Sequence, residues 1–457
     1  MTTRRVDVAV IGGGPAGYAA ALAAARSGAT VVLAEPELLG GTCVHWSCIP
    51  TNVLSSSVHV SLGARELAFL GVLEAGDGVD LRRLGERRTS LVRMLSGGIS
   101  AALRNAKVEV IGGRAALATP LGITIGVDGT TVEMEAASVV VAAGARWSVP
   151  TLPGIGADRV LTADLVHALD TPPPSALVLG GGPADTAFAV EYAFLLAAFG
   201  SSVTLAIPGE LVVPGLDSDL DPAVTAGLET LGVDVLRSAE VVGADGSKAT
   251  VTHAGGESLV GADVVVVADR RVPAVDAIGL AESGVEVAAG AVVVDAACRT
   301  SADGVLAAGD VTGGRMLTSA ALHMGDVAGI VGAGGSARTR LGVMAHVLHT
   351  MPGIGWVGRG EEAARRDGTE VKVAVVDLAT NARAVAIGGR DGYLKLIADA
   401  STDEILGAHV VGPDFAELLA VAGSAMQAEL TVQEVAALVP WHPSLTESLV
   451  DAARQLA

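Results

Sequence analysis

Apolar positions open the chain as a short run, Val6–Ile11, interrupted only by Asp7, which reads as a strand. A glycine turn at Gly12–Gly14 follows, then an alanine-rich helical stretch from Pro15 to Ser27, then a second apolar run at Val31–Ala34. Strand, turn, helix and strand in this order make a βαβ unit. The same grammar returns at Ala176–Leu179, the turn Gly180–Gly182, an apolar helix ending at Phe199, and Val203–Ile207. Two such units predict two doubly wound nucleotide-binding folds. Between them, Val139–Ala142 reads as a strand and Pro150–Gly154 as a linker. After Gly335 the pattern changes. Runs at Val371–Val376, Ala384–Ile387, Tyr393–Ile397 and Ile405–Val411 read as strands and helices follow, an α+β pattern suited to a separate domain. The expected fold class is therefore α/β, with two Rossmann-like domains and a C-terminal α+β domain.

Composition narrows the picture. A chain of 457 residues is too long for one ordinary core. Half the residues are hydrophobic but only 3% are aromatic, so small aliphatic side chains and glycine must fill the cores. The 59 glycines show no G-X-Y period, which excludes a collagen-like chain. A net charge of −20 makes nucleic acid and anionic membranes poor partners. Arg4 and Arg5 precede an apolar run, as in a signal peptide, but Gly12–Pro15 interrupt it, and strand–turn–helix is the better fit. No run suits a membrane span. The three cysteines, Cys43, Cys48 and Cys298, make no disulfide scaffold and suit a reducing cytosol, so a cytoplasmic protein is expected.

The first glycine turn carries chemistry. Gly12-Gly-Gly14-Pro-Ala-Gly17 is a complete G-x-G-x-x-G placed between strand and helix. Gly12 permits the tight turn, Gly14 lets backbone approach a pyrophosphate at the helix N-terminus, and Gly17 allows close helix–strand packing. Glu35 follows the second strand, where a carboxylate can accept ribose hydroxyls. A dinucleotide site is expected here.

Directly after Glu35 comes Gly40-Gly41-Thr42-Cys43-Val-His45-Trp46-Ser-Cys48-Ile-Pro50. On a regular helix, residues five apart are separated by about 7.5 Å along the axis, beyond the usual reach of a disulfide. A bonded pair would need a distorted turn and would be readily reduced, which reads as redox-active beside a dinucleotide site. Two free buried thiols, or a metal site with His45 as third ligand, are the alternatives.

These residues resemble the class I pyridine nucleotide–disulfide oxidoreductases: dihydrolipoamide dehydrogenase, glutathione and mycothione reductases, and mercuric reductase. The likeness runs through Val139-Val-Val-Ala-Ala-Gly144, Gly304-Val-Leu-Ala-Ala-Gly309-Asp310, Trp356-Val-Gly-Arg-Gly-Glu-Glu, Gly392-Tyr-Leu-Lys395-Leu and His442-Pro-Ser-Leu-Thr-Glu447, covering nearly the whole chain in order. It implies FAD in the first site, held by Gly12, Gly14, Gly17, Glu35, Gly41, Thr42, Gly144 and the carboxylate of Asp310. It implies Cys48 as the flavin-proximal thiol, Cys43 as the interchange thiol, His442 as the base, and Glu447 as its orienting carboxylate. Because the family's base reaches the disulfide of the other subunit, it implies a homodimer. The implied domains are 1–148 with 271–335 for FAD, 149–270 for an NAD(P)-like domain, and 336–457 for dimerisation. Ser444-x-x-Glu447 also fits a capping box, so Glu447 has two readings, with His442 pairing preferred. Cys298, His323, His346 and His349 read as structural, and no metal site is expected.

The chain departs from the family in its second nucleotide unit. The third glycine is replaced by Asp185, whose carboxylate would oppose a pyrophosphate. The helix is about one turn longer by its spacing. The strand that would end in a ribose-binding acid ends in Ile207, and Arg270 stands where a glycine is usual. The family's Lys after Ile-Pro-Thr is Asn52, while its partner acid persists as Glu191. Loss of that cation lowers the expected flavin potential. His45 and Trp46 replace smaller residues between the thiols, and Trp46 is expected to narrow access to Cys43. The His–Glu pair argues against 2-ketopropyl-coenzyme M carboxylation chemistry, and no terminal Cys pair supports mercuric-ion reduction. The leading expectation is an FAD enzyme that oxidises a small or carrier-borne dithiol, with weak or no NAD(P) binding and an acceptor such as dioxygen. The alternatives are an NAD-linked dihydrolipoamide dehydrogenase or NAD(P)H-dependent disulfide reductase, and a flavin-bearing binding subunit without turnover.

Overall fold

In the computed structural model the opening βαβ pattern folds as β1 (Arg4–Ile11), α1 (Pro15–Arg26) and β2 (Val31–Ala34). The structure describes residues 4–69, 72, 79–180, 186–268, 270–387 and 392–457. The chain divides into two compact units. One comprises Met1–Val53, Leu81–Ser148 and Arg271–Leu341; the other comprises Leu54–Asp80, Val149–Arg270 and Gly342–Ala457.

In the first unit, the chain after β2 forms α2 (Gly41–His45), α3 (Cys48–Phe69, which runs on into the second unit), α4 (Leu81–Asn105) and β3 (Glu109–Ile111). Three antiparallel strands then follow: β4 (Arg114–Thr119), β5 (Gly122–Val127) and β6 (Thr130–Val141). The sheet order is β3-β2-β1-β6-β5-β4, with Val305–Ala307 paired to β6. β1 lies between two parallel neighbours, Val8 facing Val31 and Ser138. Val8, Ala9 and Val10 are all fully buried, which explains why the strand is continuously apolar from Val8 to Ile11 rather than alternating. Helix Thr318–Gly332 packs on α1 through small residues. A Cβ on Gly325 would lie 2.2 Å from the Ala16 carbonyl oxygen, and one on Gly329 would lie 2.2 Å from that of Ala20. Part of the glycine excess therefore serves helix packing.

The second unit holds two larger sheets. A parallel sheet runs Val233–Leu236, Ser202–Ala206, Ser175–Leu179, Val264–Val267, Val160–Thr162, a second Rossmann-type arrangement. Its helix Thr186–Ala198 is mostly apolar and buries every residue from Ala189 to Leu196, Glu191 included. The glycine turn before it, with Gly181, Gly182 and Asp185, lies outside the described residues, and so does the span from that turn on which the expected extra length of this helix rests.

The other sheet is antiparallel, in the order Ala345–Leu348, Gly353–Gly358, Ile405–Gly412, Tyr393–Asp399, Val371–Asp377. Leu394, Leu396, Ala408 and Val410 of its strands form one core with Leu418, Leu419, Leu449 and Ala453 of the last helices. The expected strand at Ala384–Ile387 is instead a helix, Ala382–Ala386. Asn381 caps it, its Oδ1 accepting from the backbone of Arg383 and Ala384, while its Nδ2 donates to the Ser444 carbonyl and Ser448.

A buried ionic cluster also lies in this unit. Lys395, 2% exposed, binds Asp217 at 3.1 Å, Asp219 at 2.8 Å and Glu361 at 2.9 Å. His409 is fully buried beside it, its Nδ1 accepting from the Asp217 backbone.

Candidate active site

The two cysteines do not share one regular helix. Cys43 sits in the five-residue α2, the helix breaks at Trp46 and Ser47, and Cys48 is the first residue of α3. Both Trp46 and Ser47 donate their backbone N–H to the Thr42 carbonyl at 2.9 Å, which closes the break. The break brings the two sulfurs within hydrogen-bonding reach of each other, both as free thiols. Cys48 Sγ also lies 3.2 Å from the Thr318 hydroxyl.

This environment treats the two sulfurs differently. The hydrogen bond from Cys43 is the largest influence on Cys48 and pulls its pKa down to about 6, with further help from Thr318 and the positive charge of Arg271, against the cost of burial. Its place at the N-terminus of a 22-residue helix acts in the same direction. Cys43 moves the opposite way: donating to Cys48, and then burial, push its thiol well above the usual range. Once reduced, the pair keeps its negative charge on Cys48 and its proton on Cys43. Tyr18 of α1 senses both sulfurs. Burial, then the charges of Cys43 and Cys48, raise its pKa.

Arg271, Thr318 and Tyr18 were not singled out by sequence reasoning. Arg271 adjoins Arg270 in a segment already read as divergent; it pairs with Asp310 at 3.0 Å and with the Met316 carbonyl at 2.8 Å. The ion pair is largely buried. Burial raises the Asp310 pKa, and Arg271 opposes that shift. Arg270 itself is exposed.

The residues read as an FAD site fit that group. A Cβ on Gly17 would lie 1.8 Å from the Gly12 carbonyl oxygen, and one on Gly41 would lie 2.8 Å from the Gly14 Cα. The turn, the start of α1 and the start of α2 thus meet backbone to backbone. α1 begins without a side-chain cap and without an acid in its first turn, which leaves its N-terminus suited to a phosphate. Glu35 is fixed by the backbone N–H groups of Gly13 at 2.6 Å and Glu37 at 2.9 Å, one on each carboxylate oxygen. Asp310 uses Oδ2 for Arg271, and its Oδ1 accepts no hydrogen bond among the described residues, so it is available to a ligand hydroxyl. Thr42 is half-buried in α2, and Gly144 has φ 75° just beyond β6.

His442 and Glu447 meet in the second unit. His442 Nδ1 lies 3.0 Å from Glu447 Oε1, and the Ser444 backbone donates to Oε2 at 2.8 Å. A carboxylate partner fixes the hydrogen on Nδ1 and leaves Nε2 as the acceptor of a neutral ring. Glu447 is held below the usual carboxylate range by the Ser444 backbone and then by His442. Only half of a capping box forms, because Ser444 Oγ is buried with no partner among the described residues. The His442 side chain is 71% exposed.

Asn52 is exposed on α3. Glu191 is 4% exposed and accepts from the His349 backbone at 2.6 Å. Ile207 is fully buried after strand Ser202–Ala206. His45 donates from Nε2 to the Leu39 carbonyl at 3.0 Å, which ties it to the protein, and Trp46 is 46% exposed. Cys298 is fully buried, where burial raises its pKa to about 12. His346 stacks on Trp356, and the His323 ring accepts from the Arg340 backbone. No group of three or more potential metal ligands occurs among the described residues. Nor is any described helix long and apolar enough to cross a membrane.

Residues 6–325 match the pyridine nucleotide-disulphide oxidoreductase family, and 344–453 match that family's dimerisation domain. The chain is 33% identical over 462 residues to a dihydrolipoyl dehydrogenase of Chlorobaculum parvum, covering 99% of this chain and 97% of that one. It is 30% identical to a dihydrolipoyl dehydrogenase of Geobacillus stearothermophilus, covering 98% and 95%. Among solved structures it resembles LpdA of Mycobacterium tuberculosis, with a TM-score of 0.89 and 30% identity over all of both chains. It also resembles the HOCl-induced flavoprotein disulfide reductase RclA of Escherichia coli in a Cu(II) complex, with a TM-score of 0.87 and 27% identity, again over all of both chains. A split thiol pair beside a glycine-rich dinucleotide cradle, matched to these relatives over its full length, makes the chain a member of the pyridine nucleotide-disulphide oxidoreductase family, an FAD-dependent thiol–disulfide oxidoreductase similar to dihydrolipoyl dehydrogenase.

Proposed function

We propose that the protein oxidises a dithiol through a Cys43–Cys48 disulfide and binds NAD(P)H weakly or not at all. The asymmetry of the two sulfurs carries this reading. A substrate thiolate attacks Cys43 Sγ, the Cys43–Cys48 bond breaks, and Cys48 leaves as a thiolate, the form its surroundings favour. The second substrate thiol then attacks the substrate sulfur bonded to Cys43. The substrate leaves as a disulfide, and Cys43 takes up a proton, the form its surroundings favour. Two electrons now reside on the pair. His442, oriented by Glu447, accepts the proton of each attacking thiol and returns one to Cys43. In this reading His442 comes from the other subunit of a homodimer, as the family resemblance implies. When bound, FAD would supply a two-electron acceptor for the reduced pair, with dioxygen as the final acceptor in this reading. Gly12, Gly14, Gly17, Gly41, Thr42 and Gly144 would receive it at the glycine cradle, with Glu35 and Asp310 accepting its hydroxyls.

The three-part division at 1–148 with 271–335, 149–270 and 336–457 belongs to the same proposal. So does the weak nicotinamide site, supported by the buried Ile207. A second reading, an NAD-linked dihydrolipoyl dehydrogenase, is favoured by full-length similarity to proteins of that name. Anaerobic addition of dihydrolipoamide, NADH and NADPH in turn, followed by flavin absorbance, separates the two. We expect the dithiol to reduce the flavin and the nucleotides to leave it oxidised. Micromolar binding of either nucleotide by calorimetry sinks the first reading in favour of the second.

A further inference from the structure

One loop of the first unit joins the carboxylate read as a flavin ligand to the hydroxyl that meets the thiol pair. It starts at Asp310, which opens the short turn Asp310–Thr312, and ends at Thr318, the first residue of helix Thr318–Gly332. Thr318 reaches Cys48 Sγ through its hydroxyl at 3.2 Å. Between these ends the backbone is poorly constrained by its own sequence. Gly313 and Gly314 have φ of 72° and 70°, conformations open to glycine, and Met316 has φ of 47°, which its side chain disfavours. The residue that precedes the helix, Leu317, supplies no side-chain cap. Local geometry therefore does not set where Thr318 stands relative to Asp310.

A side chain from another strand does. Arg271 opens the short strand Arg271–Pro273, which pairs with Ala145–Trp147. Its guanidinium donates from Nη1 to Asp310 Oδ2 at 3.0 Å and from Nη2 to the Met316 carbonyl at 2.8 Å. The guanidinium is planar, with its nitrogens fixed relative to one another, so the two bonds together set the spacing across the loop. The Arg271 side chain is 12% exposed and that of Asp310 17%, so water competes little for either bond. The charges on this fork also reach the thiol pair. That of Arg271 favours the Cys48 thiolate, and that of Asp310 is felt at Cys43. Once the pair is reduced, one cation answers two anions, Asp310 and Cys48.

We propose that Arg271 is a positioning residue that ties Asp310 to Thr318, so that one fork sets both the flavin-facing carboxylate and the hydroxyl on Cys48. The proposal rests on Asp310 as a flavin ligand and Cys48 as the thiolate, and it names what keeps the two in register. Charge alone would be served equally well by a lysine. Two acceptors on either side of a loop with three left-handed residues call for the arginine fork.

The test is Arg271→Lys, which keeps the charge and offers one nitrogen to the two acceptors. FAD dissociation from the holoenzyme on dilution is followed by flavin fluorescence. Cys48 ionisation is read from iodoacetamide alkylation of the reduced holoenzyme across a pH series. We expect FAD binding and Cys48 ionisation each to weaken about three- to tenfold, although neither Asp310 nor Thr318 has been changed. Adding Thr318→Val should then move the Cys48 midpoint less than about threefold, against about tenfold in the wild-type background. A lysine variant that matches wild type, or that alters only one of the two readouts, overturns the proposal. So does an equal effect of Thr318→Val in both backgrounds. Should Arg271→Lys not fold, Asp310→Asn opens the same fork at its other end. The effect of Thr318→Val should shrink there too, and an undiminished effect overturns the proposal. If Asp310→Asn leaves FAD dissociation unchanged, the flavin reading of Asp310 fails, and the proposal falls with it.

Discussion

Replacing Thr318 by valine tests how Cys48 is held as a thiolate. The substitution keeps the side chain's shape and removes the hydroxyl 3.2 Å from Cys48 Sγ. In the native protein, Cys48 moves from an ordinary value of 9.0 to about 6. A thiol with a pKa of 6 is about 90% ionised at pH 7, and one of 9 only about 1%. The shift is shared among Cys43, Thr318, Arg271 and the helix N-terminus. A hydrogen bond to a charged group contributes about 1.5–3 kcal/mol when well buried. Cys48 is crowded by protein but its side chain still reaches solvent, so screening reduces this to about 1–2 kcal/mol, on the order of one pKa unit. The variant should therefore titrate near pH 7, with about half its Cys48 ionised at neutrality.

Alkylation of the reduced holoenzyme with iodoacetamide, followed by peptide mapping across a pH series, reads this directly. The midpoint for Cys48 should move to higher pH, and the rate at pH 7 should fall by about half. Arg271→Met should move it the same way, and salt should shrink that second effect because it is Coulombic. An unmoved midpoint in Thr318→Val would show that the hydroxyl does not serve the thiolate, and the assignment of charge to Cys48 would lose one of its supports.

Three further outcomes follow from other parts of the molecule. His409 is held neutral by burial at a pKa of about 4, below its ordinary 6.5. Below pH 6.5 the unfolded chain binds a proton that the folded chain refuses, so this contribution is complete above that pH. It falls by about 3 kcal/mol on the way to pH 4. Urea unfolding at pH 7 and pH 5 should show the loss, and His409→Gln should flatten it. Glu447→Gln should slow flavin reduction by dithiols about a hundredfold with the flavin spectrum unchanged, since only the orientation and charge stabilisation of His442 are removed. A rate within threefold of wild type would leave Glu447 with only its bond to the Ser444 backbone. Asn52→Lys should raise the flavin potential by at least ~30 mV in dye-equilibration measurements. An unchanged potential would remove the account of Asn52 given above.

Local pattern carried much of the fold. β2 occupies Val31–Ala34, as read from the apolar run, and α1 ends one residue before the expected Ser27. Glycine turns bounded these elements, and their sterics act over a few residues. Ala384–Ile387 was misread because four apolar residues fit a helix or a strand equally. The arbiter was Asn381, held by Ser444 and Ser448 more than sixty positions away. The same distance limit hid Thr318, which meets Cys48 across 270 positions. The cysteine spacing was legible in part for the opposite reason: a bonded pair five residues apart conflicts with a regular helix, and the structure breaks the helix between the two at Trp46–Ser47.

The two Rossmann units offer an internal comparison that bears on where electrons can go. Glu35 and Ile207 follow corresponding strands, and each donates its backbone N–H to the next strand, to Ile111 at 3.0 Å and Leu236 at 2.9 Å. The backbone slot is the same and the side chains have opposite uses. Glu35 is half-buried, with its carboxylate held by two N–H groups. Ile207 is fully buried and contributes to the core, a burial that stabilises by about 1.5–3 kcal/mol. An acid at position 207 would lose that contribution and add a desolvated charge. The second unit has therefore put into packing a position where the first presents a carboxylate that, in the proposed reading, meets a ligand. The contrast supports the proposal that the chemistry runs between the thiol pair and the flavin.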